Sequence, residues 1–205
     1  DSEDTLSAYR NSRGLEVRGN IGNKIGFYSY ALENQARFPN FLRDKYANDA
    51  SVAGATLAKR YGEEARDFFN AAGYITASPI EEITLQFGHD RNFIGNGYRS
   101  LILSDYATPN TFLKLNTKVW KLNYMNLYSL HTDLQRFKDQ APTARKYSAL
   151  HHLSFNIGKN LTLGLWENVI FDRQDSIERN GFEVDYLNPM IFYRAVEHGL
   201  NSSDN

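Results

Sequence analysis

The sequence predicts an all-β chain, an antiparallel up-and-down transmembrane β-barrel with a short helix in one long loop. Three observations lead there. Polar and apolar residues alternate with a period of two along most of the chain, which places successive side chains on opposite faces of a strand. The connections between these runs alternate between short turns and long polar stretches, as in outer-membrane barrels, whose tight turns gather at one end and long loops at the other. No apolar run approaches the roughly 18 residues of a membrane-spanning helix. A barrel strand needs only about 9–11 residues with every second one apolar, so a mean hydropathy of −0.54 does not exclude it. A soluble β-sandwich stays open as the alternative, because its core uses the same Leu, Ile, Val and Phe.

Taken in order, Asp1 to Arg13 is polar and unpatterned and reads as a loop. Leu15, Val17, Gly19 and Ile21 alternate with Glu16, Arg18 and Asn20, and Gly22-Asn23-Lys24 is a turn signal leading into a second strand, Ile25 to Phe38. Residues 39–71 break the pattern and read as a long loop insertion, with a short helix over Thr56 to Asn70 from its helix-forming composition. Gly73 to Ser78, a turn at Pro79-Ile80-Glu81 and Glu82 to Phe87 form the next hairpin. Ser100 to Tyr106 reads as a strand, closed by a turn at Ala107 to Asn110.

From Thr111, Leu113, Leu115, Thr117 and Val119 share a face against Lys114, Asn116 and Lys118. The phase then shifts to Leu122, Tyr124, Asn126, Tyr128 and Leu130. A single strand from Thr111 to Leu130 would be roughly 66 Å long at about 3.3 Å per residue, so a tight turn is placed at Trp120-Lys121. Asp133 to Lys146 is a long loop. Leu153, Phe155 and Ile157 then pair with Leu161, Leu163 and Leu165 across Gly158-Lys159-Asn160, with His152, Ser154 and Asn156 and then Thr162, Gly164, Trp166 and Asn168 on the opposite face. Asp172 to Asn180 is a charged loop and Gly181 to Tyr186 a last strand, making about ten strands.

Bulk composition excludes several classes. The 205 residues have room for one substantial core. A formal net charge of −1, with 23 % charged residues, lacks the basic excess of a nucleic-acid protein. There is no cysteine, hence no disulfide and no thiolate metal site. Thirteen Tyr and thirteen Phe suit strands, membrane interfaces and sugar stacking alike.

The stretch the rest is organised around is Ile83 to Asp105, ITLQFGHDRNFIGNGYRSLILSD. Three glycines, Gly88, Gly95 and Gly97, surround the charged run His89-Asp90-Arg91 and the aromatics Phe93 and Tyr98, a connection longer than a plain hairpin needs. This segment, continued through Tyr106-Ala107 to Pro109, resembles the Wzi-like capsule-assembly outer-membrane barrels, and within them the Bacteroidetes branch that includes the gliding-motility RemB type. Tyr186-Leu-Asn-Pro-Met-Ile-Phe-Tyr-Arg-Ala-Val-Glu197 and the closing Ser202-Ser-Asp-Asn205 resemble that family as well. The resemblance runs intermittently from about Gly14 to the last residue. It implies a barrel in the outer membrane and, from its capsule branch, a polysaccharide-binding role. It also implies a longer chain, so residues 1–205 are expected to be one portion of a larger barrel.

Candidate chemistry is sparse. His89-Asp90-Arg91 fits a ligand-binding triplet or a structural knot in which Asp90 accepts backbone N–H bonds. Gly95-Asn96-Gly97 lacks the lysine and helix of a phosphate cradle. His151 and His152 are adjacent and fall on opposite strand faces, so they do not chelate one metal. Glu81-Glu82 reads as a solvated turn, and nothing fixes the separation of Glu167, Asp172 and Asp175 as a carboxylate pair. No nucleophile triad is visible. Tyr193, Arg194 and Glu197, beside Asn188-Pro189, suit sugar recognition or a packed girdle.

The expected function is therefore non-enzymatic, with no cofactor, metal or nucleic-acid partner. The chain is expected in the Gram-negative outer membrane, in contact with its lipid, attaching surface polysaccharide (capsule) or serving gliding motility. Asp90, Arg91, Arg99, Tyr193, Arg194 and Glu197 are the candidate polysaccharide contacts, and Gly88, Gly95 and Gly97 shape the turn. The alternatives are a membrane-embedded subunit of a larger secretion or motility complex without a small ligand, and a soluble β-sandwich carbohydrate module.

Overall fold

A computed structural model describes residues 7–47, 52–55, 57–62, 64–132 and 145–172. They form an antiparallel up-and-down sheet of nine strands with one short helix. The strands are β1 (Tyr9–Ile21), β2 (Ile25–Arg37), β3 (Ala58–Tyr61), β4 (Ala65–Ile80), β5 (Ile83–Asp90), β6 (Asn110–Val119), β7 (Leu122–Thr132), β8 (Arg145–Asn156) and β9 (Thr162–Asp172). The helix α1 spans Asn40–Ala47. The pairing order is β1-β2-β4-β5-β6-β7-β8-β9, with β3 lying off this path against β4. Among the described residues β1 and β9 end the order and do not pair with each other. The predicted strand at Gly181 to Tyr186 and the second family-like patch lie outside the described residues.

Along the path β1-β2-β4-β5-β6-β7-β8-β9 the connections alternate between short and long, with the β3–β4 hairpin, closed by a three-residue turn, at the end of the long connection between β2 and β4. Turns of two or three residues join β1 to β2, β4 to β5 and β6 to β7, and a five-residue turn joins β8 to β9. The connections that follow β2, β5 and β7 are long. The turn expected at Trp120-Lys121 is there, and Trp120 carries it at φ 54°, a conformation usually left to glycine.

Three expectations are corrected. Residues 9–13, read as part of a loop, belong to a strand, since β1 begins at Tyr9. The helix lies at Asn40–Ala47, not at Thr56 to Asn70. Pro39 presets its entry, and the Pro39 carbonyl accepts the N–H groups of Leu42 and Arg43, each at 2.9 Å. The Thr56 to Asn70 segment breaks at Gly62, where φ is +60°, and folds as a β3–β4 hairpin with Ala58 opposite Phe68 and Tyr61 opposite Ala65. Strand pairing overrides helix propensity, which is a weak prior. The long connection therefore ends at Glu64, short of residue 71.

The third correction concerns Ser100 to Tyr106, which is not a strand. Only the Ile94–Leu103 bridge forms there. Ser100 and Ser104 hydroxyls accept bonds from nearby backbone N–H groups, the local competition that draws serine out of ladders. Residues 91–109 are one connection between β5 and β6, so the irregular turn predicted at Ala107 to Asn110 disappears from the pattern.

By contacts the chain divides into two units. The first holds residues up to Ile21, Gly26–Ile75 and His89–Pro109. Its core is Ala36, Tyr46, Val52, Ala55 and Phe68, with Phe38, Leu42 and Ala58 packed against it. Phe38 meets Tyr46 edge-on at 5.0 Å and stacks on Phe68 at 6.4 Å, which fastens α1 to the ends of β2 and β4. Glu64 pairs with Arg37 and, at 2.8 Å, with Arg43. The opposite face of these strands is bare: Val17, Phe27, Phe69 and Ile75 are all exposed.

The second unit holds Gly22–Ile25, Thr76–Gly88 and the residues from Asn110 onward. Its registers sort the side chains by face. Leu113, Leu115 and Val119 oppose Tyr128, Asn126 and Leu122, and these oppose Ala149, His151 and Phe155 on β8. Leu153 and Phe155 then oppose Leu165 and Leu163, as the sequence pattern required. The other face carries Lys114, Asn116 and Lys118 on β6 and Ser129 and His131 on β7, interleaved with the buried Phe112, Met125, Leu127 and Leu150. The first face is apolar and exposed over much of its extent, with Leu85, Phe87, Leu113, Leu163 and Leu165 open to solvent. One polar row, Asn126–His151–Glu167, crosses it. Asn126 in that row is 0 % exposed, with neither amide atom hydrogen-bonded.

Candidate functional site

Within the first unit, the polar-bearing face of β1, β2 and β4 opens into a cavity of about 390 Å³ lined by Arg10, Gly14, Leu15, Glu16, Tyr28, Tyr30, Leu32, Ala53, Gly54, Asn70 and Arg91. Period-two alternation builds it. Arg10, Gly14 and Glu16 come from one face of β1, Tyr28, Tyr30 and Leu32 from one face of β2, and Asn70 from the matching face of β4. Tyr28 lies 5.9 Å from Tyr30 and 5.3 Å from Tyr74, ring centre to ring centre, and the Tyr28 hydroxyl is within hydrogen-bond reach of Glu16. The result is an aromatic wall beside a carboxylate, two guanidinium groups and an amide.

The two arginines differ in commitment. Arg10 is held: its Nε and Nη2 donate to Asn34 Oδ1 at 3.2 and 2.9 Å, and its guanidinium lies 5.6 Å over the Phe68 ring. Arg91 donates Nη1 to the Asp105 carbonyl at 3.4 Å, an exposed and long bond. Gly54, at φ +74°, lets the guanidinium pass: a Cβ there would sit 3.1 Å from Arg91 Nη1. Asn70 is 8 % exposed and its Oδ1 has no hydrogen-bond partner. A buried, unpaired acceptor on a cavity wall is a place where a ligand donor would be favoured.

The predicted site residues are partly gathered here. Asp90, a candidate polysaccharide contact, closes β5 and accepts the Arg91 N–H at 2.7 Å, one of the two uses its sequence context allows. Arg91 lines the cavity. Arg99 does not; its guanidinium sits 5.9 Å from the Tyr98 ring on the exposed tip of the 91–109 connection. Gly95 is at φ +134°, where only glycine is unstrained. Gly88 lies in regular strand and Gly97 has open space around its Cβ position. Tyr193, Arg194 and Glu197 lie outside the described residues. Reading the sequence missed Arg10, Glu16, Tyr28, Tyr30 and Asn70, which converge only when three strands are put in register.

The 91–109 connection is tied internally. Ser100 Oγ donates to the Ile94 carbonyl and accepts the N–H groups of Ile102 and Leu103, at 3.1 and 3.3 Å. Leu101 beside it is 93 % exposed. Tyr106 joins this connection to α1: Lys45 Nζ donates to its hydroxyl at 3.4 Å and lies 5.6 Å from its ring. The hydrogen bond from Tyr46, then the Lys45 ammonium, lower the Tyr106 phenol below the ordinary tyrosine pKa. Burial, then the same bond to Tyr106, raise Tyr46 above it.

In the second unit, a buried polar chain runs across β6, β7 and β8. His131 Nδ1 meets the Asn110 amide at 3.3 Å and His131 Nε2 meets Ser148 Oγ at 2.8 Å. The connectivity is that of a Ser-His-Asn relay, but Ser148 and Asn110 are both buried, so it is a core network, and one that leaves Asn110 Oδ1 without a partner. Among the described residues no group of His, Asp and Glu could hold a metal ion.

No protein-family model matches the chain, and no curated protein or solved structure is significantly similar to it.

Proposed function

We propose that these residues are part of an outer-membrane β-barrel of the Wzi-like kind that binds a surface polysaccharide near the end carrying the long connections. One observation carries the membrane half of this reading: in each unit the strands leave Leu, Ile, Val and Phe exposed on one face, while the other mixes polar side chains with buried apolar ones. Monomeric soluble proteins rarely leave so much contiguous apolar surface open, whereas a bilayer requires it. Alternation of short turns and long connections along the main pairing path supports the same reading. The cavity of Arg10, Glu16, Tyr28, Tyr30, Asn70 and Arg91 supports the binding half, since stacking faces beside fixed hydrogen-bonding groups suit a sugar. A second reading, a subunit packed against another membrane protein, is favoured by the polar row Asn126–His151–Glu167, which lipid does not accommodate well.

The test is a paired substitution on one strand. Leu85→Arg places a charge on the apolar face and Gln86→Arg places it on the other. In a bilayer-embedded barrel the first costs about 2–4 kcal/mol near the midplane and the second little. Unfolding of the detergent- or vesicle-reconstituted protein reads the difference. Equal effects, with the wild-type protein recovered from the aqueous fraction without detergent, would remove the barrel reading in favour of a sandwich. A glycan panel on the same preparation tests the binding half; no binding to any polysaccharide leaves the subunit reading.

A further inference from the structure

The cavity in the first unit is more particular than a general sugar cleft. We propose that it takes an acidic sugar, a hexuronic acid residue within a polysaccharide, with the sugar carboxylate on Arg91 and ring hydroxyls on Asn70 and Glu16. The proposal rests on the polysaccharide-binding reading above and narrows it.

Charge and commitment decide the assignment. Arg10 is spent on Asn34 and Phe68 and shapes the wall. Arg91 offers a planar fork of donors, of which one is occupied by the long bond to the Asp105 carbonyl. That fork matches a carboxylate in two-bond geometry. Gly54 leaves little room beside Arg91 Nη1: a Cβ there would sit 3.1 Å away, so the guanidinium would have to give by a few tenths of an ångström. Asn70, on the cavity wall and 8 % exposed, has an Oδ1 acceptor without a donor. A hydroxyl group supplies that donor and a carboxylate does not. Glu16 likewise requires donors, and with Asp90 it keeps the local charge near balance. A polyanion such as a phosphate cluster is therefore disfavoured, and one carboxylate flanked by hydroxyls is what the set accepts. Tyr28 and Tyr30 give the ring a stacking face.

The experiment measures affinity of the full-length, detergent-purified protein for an oligogalacturonate and for the same oligosaccharide with its carboxyls reduced to primary alcohols. The expected result is acid bound about tenfold or more tighter than the reduced form, since a charge-assisted pair is lost in the latter. Arg91→Gln abolishes that preference, and Arg91→Lys restores part of it, keeping the charge but not the fork. Asn70→Ala weakens both forms by a similar factor. Equal binding of acid and reduced forms, or binding only of neutral glycans, overturns the acidic-sugar assignment and leaves polysaccharide binding standing. Failure to bind these probes and every glycan of the panel overturns both. Unchanged detergent elution of each variant shows that a lost preference is not a lost fold.

Discussion

Ser100→Ala is the substitution whose effect can be worked furthest. The hydroxyl donates to the Ile94 carbonyl and accepts from Ile102 and Leu103. Leu103 keeps a second acceptor, since its N–H also reaches the Ile94 carbonyl at 3.3 Å, so about two bonds are lost outright. At roughly 1 kcal/mol net for each, the closed form of residues 91–109 loses about 2 kcal/mol. The strands on either side do not depend on those bonds, so the loss falls on local opening and not on the whole fold. A change of about 2 kcal/mol multiplies the open population by about 30, and cleavage of a fast-opening segment follows that population. Arg99 lies inside the segment, next to the substituted residue. Limited trypsin digestion, with the cut after Arg99 followed by mass spectrometry, should therefore run about 30-fold faster in Ser100→Ala than in the wild type. Gly95→Ala should do the same by another route, because alanine is strained at φ +134° and its Cβ collides with Ser100. An unchanged cut after Arg99 in both variants would refute the inference that this hydroxyl ties the connection.

Two further predictions follow from residues already placed. Phe68→Ala should destabilise the first unit by about 3–5 kcal/mol, because it empties a buried site between Phe38 and Arg10, read as a lower denaturant midpoint in detergent. A shift below about 1 kcal/mol would mean that α1 does not depend on this ring. On alkaline titration followed by phenolate absorbance, Tyr106 should ionise below the ordinary tyrosine range and Tyr46 above it, and Lys45→Met should move Tyr106 back up. The signs are opposite. The lowered Tyr106 contributes stability that is present above pH ~10 and lost as pH falls through its folded value, while the raised Tyr46 contributes stability present below pH ~10 and lost as pH rises through its own. A single phenol population titrating at the usual value would contradict the pairing.

What could be read from the sequence was set by periodicity. The facing of the β8–β9 hairpin was legible, since Leu153, Phe155, Leu163 and Leu165 alternate cleanly around Gly158, while Ile157 and Leu161, read as strand, fall in the five-residue turn. The turn at Trp120-Lys121 was legible only through the phase shift, because a tryptophan at positive φ carries no local turn signal. Residues 56–70 were misread because their composition favours a helix while their pairing with one another, Ala58 to Phe68 through Tyr61 to Ala65, is invisible without the fold. Ser100 to Tyr106 was misread for the converse reason: apolar alternation is present, but serine hydroxyls satisfy the backbone locally. Of the candidate site, Asp90 and Arg91 stood out as a charged run among glycines. Arg10, Glu16, Tyr28 and Asn70 did not, since each is an ordinary strand residue whose meaning comes from its neighbour in the next strand.

The bare apolar faces have a consequence for how this chain can exist at all. A sheet that shows Leu85, Phe87, Leu163 and Leu165 to its surroundings is, in water, an adhesive: other copies satisfy it as readily as the intended environment does. Its fate is thus a race between partners. On the barrel reading proposed above, whatever escorts the newly made polypeptide must mask these faces before the strands set, and must let go only where something greasier than water is waiting. Dilution, temperature and the supply of such escorts would then govern yield more strongly than the intrinsic stability of the folded strands.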